Sequence, residues 1–472
     1  MRPTHPRSFR AHADLLRRQF LQDGGLPFAD VLTEDVLAQS LAAVGRWLDR
    51  VFSPLVTLRV FLGQVLSPDH TCRAAVARLN AHRVARGRPP CSARTGAYCR
   101  ARQRLPEGFF SAAACAVGRR LDAQADRRWL WEGRQVYLFD GTTVTMADTA
   151  ANQAAYPQVH NQKPGLGFPL ARVGALISLA CGAVVNLGFC RYAGKGQGEV
   201  SLLRRLWGVL AAGDVILADR LTANWATIHM LQARGLHLVS RLNKANRAAD
   251  FRRGRRLGRE DHVVRWAKPA WIKSLDRQAY KALPDAITVR ECRVRVAQPG
   301  FRTRSVVVVT TLLDPRQATP ADLAELYRAR WHAELDLRAI KSGMQMRELR
   351  GKTPEMARKE VWAHVLAYNL IRTVMAQAAA GHGLPPRSIS FTGAMQTLAA
   401  FRPMLELRAS GPTADRVRLY RELLQAIAAH RVGDRPDRYE PRVKKRRRNH
   451  YGWLTRPRSE MRRRLAKRGP EK

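Results

Sequence analysis

The order of strands and helices within residues 131–243 is the feature that most constrains how this chain folds. Short apolar runs indicate strands, and apolar residues at spacings of three and four indicate helices. The pattern predicts three strands, followed by a helix, a strand, a helix and a strand. These elements lie in 135–140, 170–192, 198–212, 215–219, 224–235 and 236–242. Two of the strands fall inside 170–192, with a turn between them near Cys181 and Gly182. This order predicts an α/β fold, a mixed sheet with helices on both faces.

Other regions flank or interrupt this sheet. Residues 1–130 have helical periodicity, and 244–305 combine many arginines with short β-prone runs. Thr319 followed by Pro320 predicts the N-cap of a long helix that extends to about residue 347. We therefore predict a helical N-terminal domain (1–130) and an α/β core in two halves (131–243 and 306–380). A β-rich insertion (244–305) separates the halves, and a C-terminal helical region with a basic tail (381–472) follows them.

The charge of the chain indicates its class of partner. Its 472 residues contain 82 Lys and Arg against 38 Asp and Glu, a net charge of +44. So large a positive excess indicates a polyanionic partner, and nucleic acid fits best. A membrane is disfavoured because the most apolar stretch, 174–190, is shorter than the roughly 20 residues of a spanning helix. The N-terminus has no apolar signal-peptide core, which predicts a cytoplasmic, nucleoid-associated protein.

Two families of hydrolytic site are disfavoured by the absence of their motifs. The sequence contains no HExxH and no GxSxG, which argues against zinc-protease and serine-hydrolase chemistry. Its seven cysteines include no CxxC pair. That pattern predicts reduced thiols rather than disulfides or a zinc-thiolate site.

Two basic segments are candidates for contact with DNA. The predicted helix within 91–106, with Ser92 as its N-cap, carries Arg100 and Arg104 among its four arginines; a solvated basic face is the alternative. The tail 431–472 has 17 Lys and Arg against 5 Asp and Glu. There we single out Lys444, Lys445 and Arg446, whose charges suit neutralisation of the DNA backbone, with a solubilising role as the alternative.

The long helix carries a polar stripe beside an apolar one. At about 100° per residue, Tyr327, Arg330, Glu334 and Lys341 share an arc of about 60°. The apolar stripe beside it consists of Leu326, Ala333, Leu337, Ile340 and Met344. This arrangement seats the helix on a core and directs a phenol, two cations and one carboxylate along one edge. Pairing of Glu334 with Arg338 on a solvated face is the alternative.

Two aspartates follow predicted buried strands. Asp140 follows VYLF and Asp219 follows VILA. Each has an ordinary alternative, since Asp140 with Gly141 suits a hairpin turn and Asp219 suits a cap or a pair with Arg220. Together with Glu334, however, these carboxylates predict a site for two divalent ions, because Mg²⁺ prefers oxygen ligands. Asp148, which also follows a strand-like run, is the second choice for the first ligand.

The polar stripe and the two aspartates resemble the motifs of a known family. The spacing Tyr327-x2-Arg330-x3-Glu334-x6-Lys341 is similar to the Y-R-E-K signature of DDE insertion-sequence transposases. DGTTVTMADTAANQAAYPQ (140–158) resembles the region around that family's first aspartate, and VILADR (215–220) the region around its second. The resemblance covers roughly residues 130–350. It departs from the family after Arg220, where an aromatic residue is expected and Leu221 follows.

The resemblance implies a ribonuclease-H-like core interrupted by the insertion. It implies that Asp140, Asp219 and Glu334 are catalytic ligands of two Mg²⁺ ions, with Mn²⁺ as a substitute. Tyr327, Arg330 and Lys341 would hold DNA phosphates, and Trp266 or Trp271 would stack on a flipped base, with packing inside the insertion as the alternative for both. The partners would be transposon end repeats and target DNA, held by a homodimer.

We therefore predict a DNA transposase that cuts transposon ends and joins them to target DNA. The sequence leaves two alternative functions open. One is a metal-dependent nuclease of the same fold without strand transfer, and the other is a DNA-binding protein whose catalytic centre is inactive.

Overall fold

A computed structural model describes residues 6–23, 25–47, 50–245, 247–272, 277–295, 305–408, 413–433 and 452–468. The helices in these ranges are α1 (Pro6–Arg18), α2 (Glu34–Ala42), α3 (Pro54–Val65), α4 (Cys72–Val84), α5 (Gly96–Arg104), α6 (Glu107–Ala123), α7 (Ala150–Ala155), α8 (Glu199–Leu206), α9 (Trp225–Gln232), α10 (Arg277–Lys281), α11 (Pro320–Ala329), α12 (Trp331–Arg338), α13 (Pro354–Gly381), α14 (Phe391–Leu407), α15 (Thr413–Ala429) and α16 (Arg458–Arg468). The strands are β1 (Val136–Thr145), β2 (Leu170–Ser178), β3 (Val184–Arg191), β4 (Val215–Ala218), β5 (His237–Arg241), β6 (Arg255–Gly258), β7 (Asp261–Ala267), β8 (Ala286–Arg295) and β9 (Ser305–Thr310).

All nine strands join one mixed sheet in the order β3-β2-β1-β4-β5-β9-β8-β7-β6. The first three strands pair antiparallel, and β4 and β5 then add in parallel to β1. From β5 onward every pairing is antiparallel. The mixed sheet with helices on both sides is therefore confirmed. The predicted turn between β2 and β3 is also confirmed, since Gly182 has a φ of +79°, a conformation that favours glycine.

The predicted insertion is β-rich, but its strands do not form a separate sheet. β6, β7 and β8 extend the main sheet through β9, which pairs with β5 on one side and β8 on the other. A buried ion pair stabilises this extension: Arg290 Nη2 lies 2.7 Å from Asp261 Oδ2, and Arg290 Nη1 donates to the Ala318 carbonyl at 2.7 Å. The insertion and the rest of the sheet are therefore joined by continuous backbone pairing.

The helical regions at the two ends of the chain pack around α13. Nearly all of its residues are buried, and one hydrophobic cluster runs from Ala13 through the sheet to Ala428. Asn369 on α13 accepts from the Val184 N–H at 2.8 Å and donates to the Ala114 carbonyl at 2.9 Å. The division at 130/131 thus stays a prediction, while the packing is continuous across it. No helix in the described ranges is both long and apolar enough to cross a membrane.

Three local predictions need correction. Asp140 does not end its strand, because β1 continues to Thr145 by pairing with β2. The predicted helix within 91–106 begins at Gly96, and Thr95 rather than Ser92 stands at its N-cap.

The long helix predicted over 320–347 is also divided. Thr319 caps α11 as predicted and forms a capping box with Asp322. The helical hydrogen bonding is interrupted at Arg330, although that residue keeps helical dihedral angles. A π-helical turn over Ala339–Gly343 then ends the segment, and Gln345 has a φ of +57°. The segment leaves the helical path here because Glu348 forms a bridge with Thr145 at the end of β1.

One buried carboxylate joins α12 to the rest of the core. Asp336, which is 1% exposed, pairs with Arg372 on α13 and lies 2.7 Å from Arg387 Nη1. Arg387 also donates to the carbonyls of Leu179 and Ser178 at the end of β2. This network therefore fixes α12 against both the central helix and the sheet.

We expect Asp336→Ala to destabilise the fold by about 3–5 kcal/mol, because it leaves the buried Arg372 and the half-buried Arg387 without their carboxylate. Glu325→Ala, which removes an exposed acid from α11, is the matched control and should change stability by less than about 0.5 kcal/mol. Urea unfolding followed by circular dichroism measures both. Equal stability of the two variants would contradict the assigned role of Asp336.

Candidate active site

Asp140 and Asp219 occupy equivalent places on two neighbouring parallel strands. The parallel ladder between β1 and β4 pairs Phe139 with Ala218 as its last step. The next residue on each chain is the aspartate. Because adjacent strands lie about 4.8 Å apart, the two residues are side by side where the strands stop pairing. Each also accepts a hydrogen bond at 2.7 Å from the N–H of the residue that follows it.

Glu334 approaches the same point from α12. Its helix packs on β1 through the buried residues Ala333 and Leu337, while Asp336 fixes the helix from its other side. Glu334 and Asp140 line one cleft of about 400 Å³ together with Gly141, Thr142, Leu337, Arg338, Lys341, Ser342 and Arg347. The predicted convergence of the long helix on the first aspartate is thus visible in the geometry.

Arg330 lies among the three carboxylates. Its Nη2 is 3.0 Å from Glu334 Oε1, one helical turn away, and it interacts electrostatically with Asp140 and Asp219. The pKa of the Arg330 guanidinium is raised: burial acts to lower it, but the neighbouring phenol and carboxylates outweigh that effect. The alternative pairing of Glu334 with Arg338 is not the one observed.

Tyr327 and Lys341 lie toward opposite ends of the site. Tyr327 is partly buried against the core, and its electrostatic neighbours include Arg330 and Asp219. Lys341, in the π-helical turn, donates to Thr142 Oγ1 at 3.2 Å. The pKa of Lys341 is lowered, mainly by burial and secondarily by Arg347. The four residues of the predicted stripe therefore follow the site from the Asp219 side to the Asp140 side.

A fourth carboxylate, Glu199, was missed by the sequence reasoning. It lies at the start of α8 and pairs with Arg172 on β2 at 2.9 Å. A Cβ atom on Gly141 would lie 2.9 Å from Glu199 Oε1, so a larger residue there would require this side chain to shift from its place beside Asp140.

The approach of α8 depends on a row of glycines across three strands. Gly141 pairs with Gly174, and Gly174 pairs with Gly188. Leu202 of α8 lies over the latter two, where added Cβ atoms would meet it at 3.2–3.3 Å. The segment GKGQGE (194–199), which leads into α8, matches none of the motifs used to predict the site. The signal that could have identified Glu199 is an acidic residue in the first turn of a helix that packs on glycines.

Burial and neighbouring charge change the acidity of the site. Burial raises the pKa of Asp140 to about 6 from an ordinary value of 3.8. The hydrogen bond from the Gly141 N–H and the charge of Arg330 act to lower this pKa, while Glu199 and Glu334 add to the increase. Such clustered carboxylates with oxygen donors suit a hard divalent cation. In the described part of the chain, however, no three His, Cys, Asp or Glu side chains are already arranged to hold a metal ion.

The other predicted site residues lie elsewhere. Trp266 is 5% exposed and donates from Nε1 to Glu291 at 2.7 Å, so it packs inside the insertion, whereas Trp271 is 69% exposed. Arg100 and Arg104 are exposed on α5. Asp148 lies in the loop before α7 and accepts a hydrogen bond from Gln153 Nε2. It is not among the residues lining the cleft. Lys444, Lys445 and Arg446 lie outside the described residues.

Comparison with known proteins identifies the family. Residues 131–370, just over half of the chain, match the family described as "Transposase DDE domain". The chain belongs to this family. It is therefore a DNA transposase, an enzyme that cuts DNA and transfers strands. DDE transposases generally depend on divalent metal ions.

Several relatives are similar over different lengths. The chain is 27% identical over 327 residues to the transposase InsG for insertion sequence element IS4 of Escherichia coli (strain K12). This alignment covers 67% of this chain and 69% of the relative. It is 33% identical over 82 residues to the putative transposase InsL for insertion sequence element IS186A of the same strain, 17% of this chain and 21% of that relative. Among solved structures, the piggyBac transposase in a synaptic complex with hairpin DNA aligns with a TM-score of 0.41 and 9% identity, covering 88% of this chain and 84% of that one.

The raised pKa of Asp140 predicts that this residue limits stability at alkaline pH. The folded carboxyl holds its proton more tightly than the unfolded one, so its stabilising contribution is present below pH 4 and is lost as the pH rises through about 6. Asp140→Asn should therefore stabilise the metal-free protein at pH 8 by about 1–2 kcal/mol. This is less than the roughly 3 kcal/mol of the full shift, because the side chain retains some contact with solvent.

Urea unfolding in EDTA at pH 8 and pH 4 measures this effect, and the gain should be absent at pH 4. The control is Asp148→Asn, which alters an exposed carboxyl near the same strand and should show no pH-dependent gain. A stability gain for Asp140→Asn that is equal at both pH values would contradict the prediction.

Proposed function

We propose that this transposase cuts the ends of its element with Asp140, Asp219 and Glu334 as the ligands of two divalent metal ions. The observation that carries the proposal is the side-by-side position of the two aspartates at the end of the β1–β4 ladder, with Glu334 facing Asp140 across the cleft. Mg²⁺ is the favoured ion, and Mn²⁺ a substitute, because all three donors are carboxylates. When bound, such ions activate the attacking water and stabilise the leaving 3′ oxygen.

The fold supports this assignment. The strand order β3-β2-β1-β4-β5, in which only β2 runs in the opposite direction, is the arrangement expected of a ribonuclease-H-like core. The strands β6 to β8 then form the insertion between the second aspartate and the glutamate. In this interpretation the core positions the carboxylates, and the insertion and terminal helices contact DNA.

The stripe from Tyr327 to Lys341 is proposed to be the Y-R-E-K signature and to bind DNA phosphates. Arg330 presents a planar fork that suits two phosphate oxygens, and Lys341 presents a point charge at the Thr142 side of the cleft. Arg330 now pairs with Glu334. Binding of a phosphate would give the guanidinium a second anionic partner and leave Glu334 freer to act as a ligand.

Further contacts with DNA are proposed from exposure and charge. Trp271 offers an exposed ring for stacking on a flipped base, which the burial of Trp266 does not. Arg100 and Arg104 of α5, and Lys444, Lys445 and Arg446 of the tail, would neutralise DNA backbone. The partners are the terminal repeats and target DNA, held by two copies of the chain. The 3′-OH released by cleavage would then attack a target phosphodiester, forming a new phosphodiester bond and displacing the 3′ oxygen of the cut target strand.

The carboxylate assignment is tested by Asp140→Ala, Asp219→Ala and Glu334→Ala. Each should lower Mg²⁺-dependent cleavage of an end-containing duplex by at least about a thousandfold, because catalytic charge stabilisation is lost. DNA affinity should change by less than about threefold, since the phosphate-binding cations remain. Asp148→Ala is the matched control. Normal cleavage by Asp140→Ala together with loss of cleavage by Asp148→Ala would transfer the ligand role to Asp148.

The signature cations are tested by Arg330→Lys and Lys341→Ala. Both should weaken end binding and cleavage together by roughly tenfold or more, because a phosphate contact is lost and a lysine does not reproduce the guanidinium fork. Arg338→Lys is the control, since Arg338 lines the same cleft but lies outside the signature. Wild-type cleavage by both variants at low DNA concentration would rule out phosphate binding by these side chains.

A further inference from the structure

A second cavity, of about 430 Å³, lies between α3, α4 and the C-terminal half of α14. Much of its wall is apolar and includes Val60, Leu79 and Pro403. Three arginines, Arg59, Arg78 and Arg402, also line it. A cavity of this size lies within the usual range of small-molecule sites, which combine apolar walls with a few directed polar groups.

The cavity contains a buried cation whose hydrogen bonding is incomplete. Arg59 on α3 is 8% exposed, and within the described ranges its Nε atom has no hydrogen-bond partner. Burial lowers the pKa of Arg59 to about 10, so the group stays charged at neutral pH. Glu406 acts to raise this pKa, but Arg86 and Arg402 add to the decrease. Because a buried charge without full pairing is unfavourable, an anion in the cavity would stabilise this arrangement.

The acid lining the cavity does not balance its arginines. Glu406 on α14 lies 3.6 Å from Arg402 Nε and 3.7 Å from His82 Nδ1, and it accepts from Gln19 Nε2 at 2.7 Å. Among the residues that line the cavity, one carboxylate therefore faces three guanidinium groups, and Asp69, outside the lining, acts on Arg78 alone among them. Gly63 on α3 leaves room for one of them, because a Cβ atom there would lie 2.7 Å from Arg402 Nη2.

The position of the cavity indicates which anion reaches it. Ser67 and Pro68 line it, and the Pro68 carbonyl accepts from Gln345 Nε2 at 3.5 Å. Gln345 lies in the chain between Ser342 and Arg347, which line the cleft of Asp140 and Glu334. A nucleic-acid strand that followed this segment out of the cleft would pass the wall of the cavity at Pro68.

We propose that this cavity binds a nucleotide of a DNA strand adjacent to the active site, with its phosphate on Arg59 and Arg402 and its base against the apolar wall. The assignment of the nucleotide to DNA rests on the proposed function. Arginines beside an apolar wall also suit a free nucleotide, which has the same phosphate and ring. The experiments below separate the two sources.

Isothermal titration of the full chain with the 5′-phosphorylated dinucleotide pTpT tests the site. Gly63→Ala keeps every charge but displaces the flexible end of Arg402, and Arg402→Gln removes one charge. Each should weaken pTpT binding by roughly tenfold to a hundredfold. The matched control is Arg73→Gln, which removes an exposed cation of α4 that does not line the cavity and should leave the affinity within about twofold. Unchanged affinity in both cavity variants would overturn the proposal.

Crosslinking identifies the source of the nucleotide. A duplex of random sequence with a single-stranded overhang containing 5-iodouracil should crosslink to peptides of α3 or α14. Crosslinks confined to other parts of the chain, with pTpT binding still sensitive to Gly63→Ala, would overturn the assignment to DNA and leave a free nucleotide as the ligand.

Cleavage by the wild-type protein separates this inference from the proposed active site. Mg²⁺-dependent cleavage combined with variant-insensitive pTpT binding would reject the cavity alone. Variant-sensitive pTpT binding without cleavage would reject the active-site assignment alone.

Discussion

The pairing of Asp336 with Arg372 and Arg387 fixes the position of the helix that carries Glu334. Asp336 and Glu334 are two residues apart on one helix, so their side chains point in nearly opposite directions. The first is fixed in the core by two guanidinium groups, and the second is thereby directed toward β1. Because Arg387 also binds carbonyls at the end of β2, the position of the helix is set relative to the sheet that carries Asp140. The ion pairs thus determine where the third carboxylate lies.

The site combines groups of opposite charge at close range. Glu199 and Glu334 add to the increase that burial causes in the pKa of Asp140, whereas the charge of Arg330 acts to lower it from within the cluster. A chain with a large positive charge can therefore keep several carboxylates together before it meets metal or DNA. The arrangement is stabilised by internal pairing rather than by exposure to solvent, and a newly arriving cation competes with an arginine already present.

Patterns along the chain were sufficient for elements whose structure is local. The strand before Asp219, the turn at Gly182 and the Thr319 cap depend on a few neighbouring residues, and all three were predicted. Features that depend on pairing between distant segments were not. Asp140 lies within its strand because β2 continues to pair with it, and Glu199 reaches Gly141 only because three glycines align across three strands. Packing inside the insertion was an open alternative for both Trp266 and Trp271, and the choice between them depends on Glu291, a hydrogen-bond partner 25 residues from Trp266.

Because β9 pairs with both β5 and β8, one continuous sheet extends from the strands at Asp140 and Asp219 to the insertion. A force applied to the insertion by bound DNA would be carried as shear across consecutive backbone ladders, which resist it through many hydrogen bonds in parallel. Independent swinging of the strand portion of the insertion would require rupture of one of these ladders. In a complex with DNA of the kind proposed, the strands would therefore keep a fixed distance from the aspartates, and Trp271, which lies outside the strands, would not be held by these ladders.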